Sequence, residues 1–176
     1  MDPSVLLSDP TARTILHERA RSLARRDQNV DATASELVLR FTLGDEQYAV
    51  PATATRKVIR FETVAPLPAV YPAILGLVNV RGRLLVCLDL RPLLGLPATP
   101  PQATMHLLIV SASGMEVALL VDQVVSIQSE HLTLNPTPAA IAGRGASWVR
   151  GVDDRLALHL NVEGLLNDPR LAATSE

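Results

Sequence analysis

The sequence has 176 residues, of which 48% are hydrophobic and 19% are charged, and this composition predicts a folded protein of one or two small domains. A net charge of −2 and an aromatic content of 3% argue against nucleic-acid binding, because such surfaces are usually basic and carry stacking aromatics. With so few aromatic residues, the core must be built from Leu, Val, Ile and Ala.

The first predicted element is an amphipathic helix within residues 1–35. Asp9 is placed to cap its start, and Pro10 is placed at its first position. Apolar residues then recur at helical spacing among several arginines; they are Ile15, Leu16, Ala20, Leu23 and Ala24. A stripe this narrow needs a surface to lie on. The sequence leaves open whether that surface belongs to the same chain or to a partner.

From Glu36 the hydrophobic pattern changes to a period of two, which predicts β-strands. Apolar and other residues alternate up to Gly44, where a turn leads into a second strand and completes a hairpin. Residues 57–61 resume an extended pattern. A loop with three prolines then leads the chain to residue 76.

Residues 76–95 carry the most distinctive pattern of the chain, a Gly-x-x-Asn-x-Arg-Gly motif followed by a long apolar run. The two glycines let the backbone bend and approach another group closely. Asn79 is expected to break the strand and to leave Arg81 exposed. The apolar run over residues 84–90 predicts a buried strand, and Pro92 predicts one helical turn after it.

The second half of the chain repeats the plan of the first. Each half runs through a hairpin, a third extended segment, a loop, a glycine, a further strand and a short helix, over residues 37–94 and 106–166. The last helix is predicted over residues 162–167. One such unit buries too little apolar surface to be stable alone, so the two are expected to pack their apolar faces together.

No group of residues in the sequence predicts catalysis, a metal site or a cofactor. The four histidines lack the spacing of metal ligands, and His159 is expected at a solvated face or rim. Cys87, the only cysteine, lies in an apolar run and is expected to be a buried structural thiol. No serine or carboxylate pair has the context that a nucleophile or an acid–base pair needs. We therefore expect a binding protein and not an enzyme.

The sequence also argues against a membrane-spanning segment. Residues 92–115 have no formal charge, but prolines interrupt them and make a membrane span improbable. No basic and then apolar leader follows Met1. We expect a cytoplasmic protein without direct membrane insertion.

The motif at residues 76–82, the apolar strand after it and Asp89-Leu90-Arg91 resemble the CheW-like domains of bacterial chemotaxis and related chemosensory pathways. Further stretches agree with the family in order, at residues 41–50, 119–124 and 155–166. The resemblance implies a mainly β fold of two SH3-like five-stranded barrels that share an apolar seam. The barrels would be interleaved along residues 36–167, leaving an N-terminal extension at 1–35 and a C-terminal tail at 168–176.

The resemblance also implies a non-enzymatic signalling adaptor. Its partners would be the cytoplasmic tip of a chemoreceptor, the regulatory domain of a CheA-type histidine kinase and other CheW-like domains. Two alternatives remain. One is a paralogue that serves another chemosensory output, such as surface motility or second-messenger control, and the other is a small-ligand-binding module built on SH3-like barrels.

The same resemblance places the receptor-binding surface on the Asn79 motif and on a groove between the two barrels near residues 50–58; the residues are Gly76, Asn79, Arg81 and Gly82, with Val50, Ala52, Thr55 and Lys57 at the groove. Two departures from the family pattern stand out. Thr55-Arg56-Lys57 replaces the usual aliphatic-x-Glu, and the turn at residues 151–155 is shorter than usual. These departures bear on which partner is bound and less on the fold.

Overall fold

The computed structural model describes residues 35–68, 71–141 and 147–172. The predicted N-terminal helix lies outside these residues. The described chain forms strands β1 Glu36–Leu43, β2 Glu46–Pro51, β3 Thr55–Arg60, β4 Ala65–Pro66, β5 Ile74–Val80, β6 Arg83–Asp89, β7 His106–Ala112, β8 Met115–Val121, β9 Gln123–Glu130, β10 Val149–Val152 and β11 Leu158–Leu160. The described chain also has a 3₁₀ turn at Ala52–Ala54 and short helices, among them α1 Arg91–Leu94, α2 Val162–Leu166 and α3 Pro169–Ala172.

The strands form two sheets, which confirms the mainly β prediction. The first sheet has the order β10-β11-β2-β1-β9, and the second has the order β3-β7-β8-β6-β5-β4. Most neighbours are antiparallel, while β11 with β2 and β6 with β8 are parallel pairs. The second sheet has six strands and not the expected five because the two-residue strand β4 is added at its edge.

The sheets are interleaved along the chain. The hairpin β1–β2 belongs to the first sheet, but the next strand, β3, pairs with β7 in the second sheet. In the second half, the hairpin β7–β8 belongs to the second sheet, but β9 pairs with β1 in the first. Each half therefore gives a hairpin to one sheet and its third strand to the other, in agreement with a repeated plan.

One apolar core is shared by the two sheets, as the predicted seam requires. It contains Phe41 and Tyr48 of the first sheet and Leu108 and Leu119 of the second, all fully buried. A smaller cluster lies on the other face of the second sheet and includes Cys87, the buried thiol that the sequence predicted. Strands β7 and β8 contribute to both clusters because their alternate residues face opposite ways.

The structure corrects the interpretation of the Asn79 motif. Asn79 does not break a strand; it lies in β5 and pairs with Leu84 of β6. Glycine and asparagine have low strand propensity, yet pairing of Gly76 with both β4 and β6, and of Asn79 with β6, holds this segment extended. Leu84, predicted to be buried, is 66% exposed because it lies near the open end of β6.

The end of the described chain also packs on the sheets. Asp168 is buried, accepts a hydrogen bond of 3.0 Å from Trp148 Nε1 and begins the turn into α3. Pro169, where the last helix was expected to have stopped, is the first residue of this further helix. No helix within the described ranges is long and apolar enough to cross a membrane.

Candidate partner-binding groove

The hairpin between β5 and β6 fixes the position of Arg81. Its two-residue turn consists of Arg81 and Gly82, both with positive φ, at 52° and 84°. This is the geometry of the type I′ turn, whose twist matches that of the flanking strands. The Asn79 side chain supports the turn, because its Oδ1 accepts a hydrogen bond of 2.8 Å from the Gly82 N–H. The Arg81 side chain is consequently presented to solvent at the tip of a rigid hairpin.

A groove of about 430 Å³ lies beside this turn and brings β3 close to β5. Its apolar residues are Ile59, Val78, Val80 and Leu107, which also contribute to the smaller core cluster. Polar and charged side chains complete the lining: Lys57, Arg60, Glu62, Thr63, Asn79 and Arg81. The groove therefore combines four apolar residues with four charged ones, of which three are basic and one is acidic.

The cations of the groove are not neutralised within the described part of the chain. Lys57, Arg60 and Arg81 form no ion pair there, and the groove contains only one acid, Glu62. Most of the other described arginines do pair with carboxylates, namely Arg40, Arg83, Arg91, Arg150, Arg155 and Arg170. The groove thus concentrates unpaired positive charge next to apolar surface, which is the chemistry expected of a site for an acidic partner.

The structure divides the predicted receptor-binding residues into those that line the groove and those that do not. Lys57, Asn79 and Arg81 line the groove together. Val50 is fully buried in the shared core. Gly76 is also buried, and a Cβ built on it would lie 2.1 Å from the Ala65 carbonyl oxygen. These two positions therefore act through the backbone and the core and not through side-chain contact.

Ala52 and Thr55 lie at the 3₁₀ turn between β2 and β3 and are half-buried. The Thr55 hydroxyl donates a hydrogen bond of 3.4 Å to the Pro51 carbonyl, closing this turn. A second groove of about 470 Å³ lies beside it, lined by residues that include Thr53, Ala54 and Arg150. Neither Ala52 nor Thr55 is among the lining residues of the Arg81 groove.

Sequence reasoning missed Arg60 and the apolar floor of the groove, which consists of Ile59, Val78, Val80 and Leu107. One signal was available: Lys57 and Ile59 are two residues apart on a predicted strand, so they face the same way. The floor residues of β5 and β7 had no such signal, because only the tertiary fold brings them beside β3.

A buried charge network lies in the first sheet, away from the groove. Arg40 of β1 donates to Glu130 of β9 and to Asp153, while His159 Nε2 lies 2.8 Å from Asp153 Oδ2. The expected rim position of His159 is wrong: only 1% of it is exposed. The sequence could not reveal this because the partners of Arg40 are 90 and 113 positions away.

The network holds its carboxylates in the charged form. The hydrogen bond from Arg40 lowers the pKa of Glu130 to about 2, even though burial opposes the shift. Burial would raise the pKa of Asp153, but hydrogen bonds from His159, Arg40 and the Ala157 N–H outweigh it and lower this pKa to about 2. The partners are all within the protein, so the arrangement is suited to joining strands. No group of three or more His, Cys, Asp or Glu in the described ranges is placed to hold a metal ion.

Comparison with known proteins agrees with this fold. The family model for the CheW-like domain matches residues 37–170. The chemotaxis protein CheW of Rhizobium meliloti is 28% identical over 65% of this chain and 75% of its own length. Protein PilI of Pseudomonas aeruginosa is 29% identical over 64% of each chain. The crystal structure of the scaffolding protein TtCheW from Thermoanaerobacter tengcongensis superposes with a TM-score of 0.67 at 19% identity, covering 77% of this chain and 94% of that one. The chain therefore belongs to the CheW-like domain family.

Proposed function

We propose that the protein is a non-enzymatic cytoplasmic adaptor that couples the tip of a chemoreceptor to the regulatory domain of a CheA-type histidine kinase. Membership of the CheW-like family supports an adaptor role. Several similar proteins are chemotaxis proteins by name, including that of Rhizobium meliloti. The kinase regulatory domain would bind outside the Arg81 groove, which leaves the groove free for the receptor.

Receptor binding is proposed because unpaired cations surround the apolar floor of the Arg81 groove. An amphipathic helix of the receptor would place apolar side chains against Val78, Val80 and Leu107. Its carboxylates would meet Arg81, Lys57 and Arg60. Arginine suits this role because its planar guanidinium binds a carboxylate through two parallel hydrogen bonds.

The other predicted site residues would shape the groove without touching the receptor. Gly82 permits the turn that presents Arg81, and Gly76 permits the close approach of β4 to β5. Val50, Ala52 and Thr55 would set the course of the chain into β3, which carries Lys57. Signal would pass as a change in the relative placement of receptor and kinase, with no covalent step on this chain.

The second candidate is a paralogue that scaffolds a different chemosensory output. Identity to Protein PilI is as high as identity to the CheW of Rhizobium meliloti, so similarity alone favours neither. Lys57 favours the second candidate, because it stands where the family resemblance leads us to expect an acid. In that case Lys57→Glu would shift preference towards receptors of conventional chemotaxis systems.

A pull-down with two purified probes tests the proposal. The probes are the cytoplasmic tip of a chemoreceptor and the regulatory domain of a CheA-type kinase, each offered to the wild type, Arg81→Ala and Arg83→Ala. Arg83 is a matched control because it is exposed two residues away and is paired with Glu116 at 2.9 Å. We expect Arg81→Ala to lose the receptor and keep the kinase, and Arg83→Ala to keep both. The adaptor role would be refuted if the wild type failed to retain one or both of the probes.

A further inference from the structure

The outer edge of the first sheet, strand β9, lacks the features that protect the other sheet edges. Exposed edges pair with other chains unless proline, charge, shortness, a β-bulge or a cover prevents it. Of these features, β9 has one bulge, at Val125, and one charge, Glu130, at its end. In the second sheet, β4 has only two residues and one is Pro66, while β3 carries three basic residues. At the opposite edge of the first sheet, Asn135 bridges to β10 at Val152. Strand β9 has eight residues and, within the described chain, pairs only with β1.

The side chains of β9 suit a protein contact. Residues 123–129 contain no charge and no proline. Val125 and Ile127 are 51% and 56% exposed, although valine and isoleucine are residues that strands usually bury, and Leu37 on the adjacent strand is 49% exposed. A β-bulge leaves Val125 without a register partner on β1. These side chains form an apolar strip along the unpaired edge.

The sequence of β9 is complementary to itself when two copies run antiparallel. With a two-fold axis at Ser126, Val125 of each copy lies opposite Ile127 of the other, and Gln123 lies opposite Ser129. Pairs of β-branched residues across antiparallel strands are favourable. Residues 123–129 carry no charge. At each end of the pairing, Glu130 of one copy would lie opposite Asp122 of the other, but each of these carboxylates is already paired within its own chain, with Arg40 and Arg91 respectively. Leu37 lies on β1, opposite Ser129 of β9 in the same copy. It would therefore flank the apolar pairs.

We propose that β9 pairs with β9 of a second copy of this chain, joining the two first sheets into one continuous sheet. This interaction goes beyond the proposed coupling of receptor and kinase. Lys57 and Arg81 belong to the second sheet, so the pairing uses different residues from the groove. A dimer of this kind would present two grooves and could link neighbouring receptors.

Sedimentation velocity over a concentration series tests whether the dimer forms. We expect the wild type to move from monomer to dimer as its concentration rises. Ile127→Lys should raise the dimer dissociation constant at least tenfold, because it places a charge opposite an apolar residue of the other copy. Leu84→Lys is the control, since Leu84 is equally apolar and even more exposed on a strand of the second sheet, and its dimer should match the wild type. A wild type that stays monomeric throughout, or a dimer that Ile127→Lys leaves unchanged, overturns the proposal.

Disulfide cross-linking tests the register. Cys87 is the only cysteine and is buried, so an added thiol on β9 is the accessible one. Ser126→Cys should form a dimer-linking disulfide, because the two Ser126 positions face each other across the axis at a distance that a disulfide spans. In Ser129→Cys the two thiols would lie roughly 20 Å apart, six residues along the strands, and should not cross-link. Cross-linking by Ser129→Cys but not by Ser126→Cys contradicts the proposed pairing.

Discussion

Arg81 adopts a backbone conformation that is unfavourable for its side chain. Its φ of 52° lies in the left-handed region, which costs a residue with a Cβ about 1 kcal/mol relative to the right-handed one. Asparagine or glycine usually occupies this position of a type I′ turn. Strain of this kind is often retained where the side chain has a function, and partner binding is the function that we propose for Arg81.

Replacing Arg81 by asparagine should therefore separate stability from binding. Asparagine tolerates the left-handed conformation, so Arg81→Asn should raise the free energy of unfolding by about 0.5–1 kcal/mol while it weakens receptor binding. Ser113 occupies the matching position in the β7–β8 turn, with φ of 51°, and provides the control. Ser113→Asn should leave binding unchanged. Urea denaturation and a binding titration measure the two effects; an Arg81→Asn protein that binds normally would show that the arginine is dispensable.

Gly76 should prove essential for the fold, in contrast to Gly82. A Cβ at Gly76 would collide with the Ala65 carbonyl, at a φ of 147° that also strains any other residue. We expect Gly76→Ala to lower the free energy of unfolding by roughly 3 kcal/mol or more. A Cβ at Gly82 would meet no atom within 4 Å, so Gly82→Ala should cost only about 1 kcal/mol, from backbone strain. Equal losses in the two variants, measured by chemical denaturation, would contradict this explanation.

Among the elements, β1 is tied to its surroundings by charge as well as by sheet pairing. Arg40 reaches from β1 to Glu130 at the end of β9 and to Asp153 between β10 and β11. Asp153 in turn accepts hydrogen bonds from the N–H groups of Arg155 and Ala157. A buried charge that loses its partner is strongly destabilising, so these contacts make the joined strands depend on one another.

Acid should weaken this connection. Glu130 and Asp153 have their pKa lowered from 4.5 and 3.8 to about 2. A carboxylate whose folded pKa is depressed stabilises the fold above its unfolded pKa and loses that contribution as the pH falls towards the folded value. Stability should therefore fall by roughly 2–4 kcal/mol between about pH 5 and pH 2 through these two groups. Urea midpoints across this range measure it. Asp153→Asn should be less stable at pH 7 and show a shallower pH dependence; an unchanged slope would exclude Asp153 from the effect.

The sequence predicted those elements whose signal is local. Strand β1 and its hairpin follow from alternating apolar residues and a glycine turn, and the buried Cys87 follows from its apolar neighbours. Strand β5 was missed because Gly76 and Asn79 are poor strand formers, and only the contacts with β4 and β6 hold them in place. The buried position of Arg40 was missed for a similar reason, since residues distant in the sequence supply its partners.

The same division applies to the groove. Lys57, Asn79 and Arg81 were identified through the family resemblance, and the structure places them together. Arg60 and the apolar floor were not identified, because β3, β5 and β7 meet only after the sheet has formed. The charge excess of the groove also depends on which arginines find carboxylate partners, and this pairing is a property of the tertiary structure.

At the scale of the whole molecule, the interleaving of the halves predicts a single cooperative unfolding unit. Strand β3 of the first half pairs with β7 of the second, and β9 pairs with β1. The parallel pairs also join the halves, β6 to β8 and β11 to β2. We expect one unfolding transition that coincides when followed by circular dichroism and by Trp148 fluorescence. A fragment that ends in the linker before β7 should remain unfolded alone. Two separate transitions, or an independently folded fragment, would contradict this prediction.

The central claim is that the basic groove beside Arg81 binds the receptor, and a charge-reversal series tests it most directly. The cytoplasmic tip of a chemoreceptor that the wild type binds would be titrated with the wild type, Arg81→Glu, Lys57→Glu, Arg60→Glu and the control Arg83→Glu at low and high salt. We predict that Arg81→Glu weakens binding by about tenfold or more, that Lys57→Glu and Arg60→Glu weaken it less, and that the losses shrink at high salt. Arg83→Glu should bind as the wild type does. Unchanged binding by Arg81→Glu, or an equal loss with Arg83→Glu, would contradict the claim.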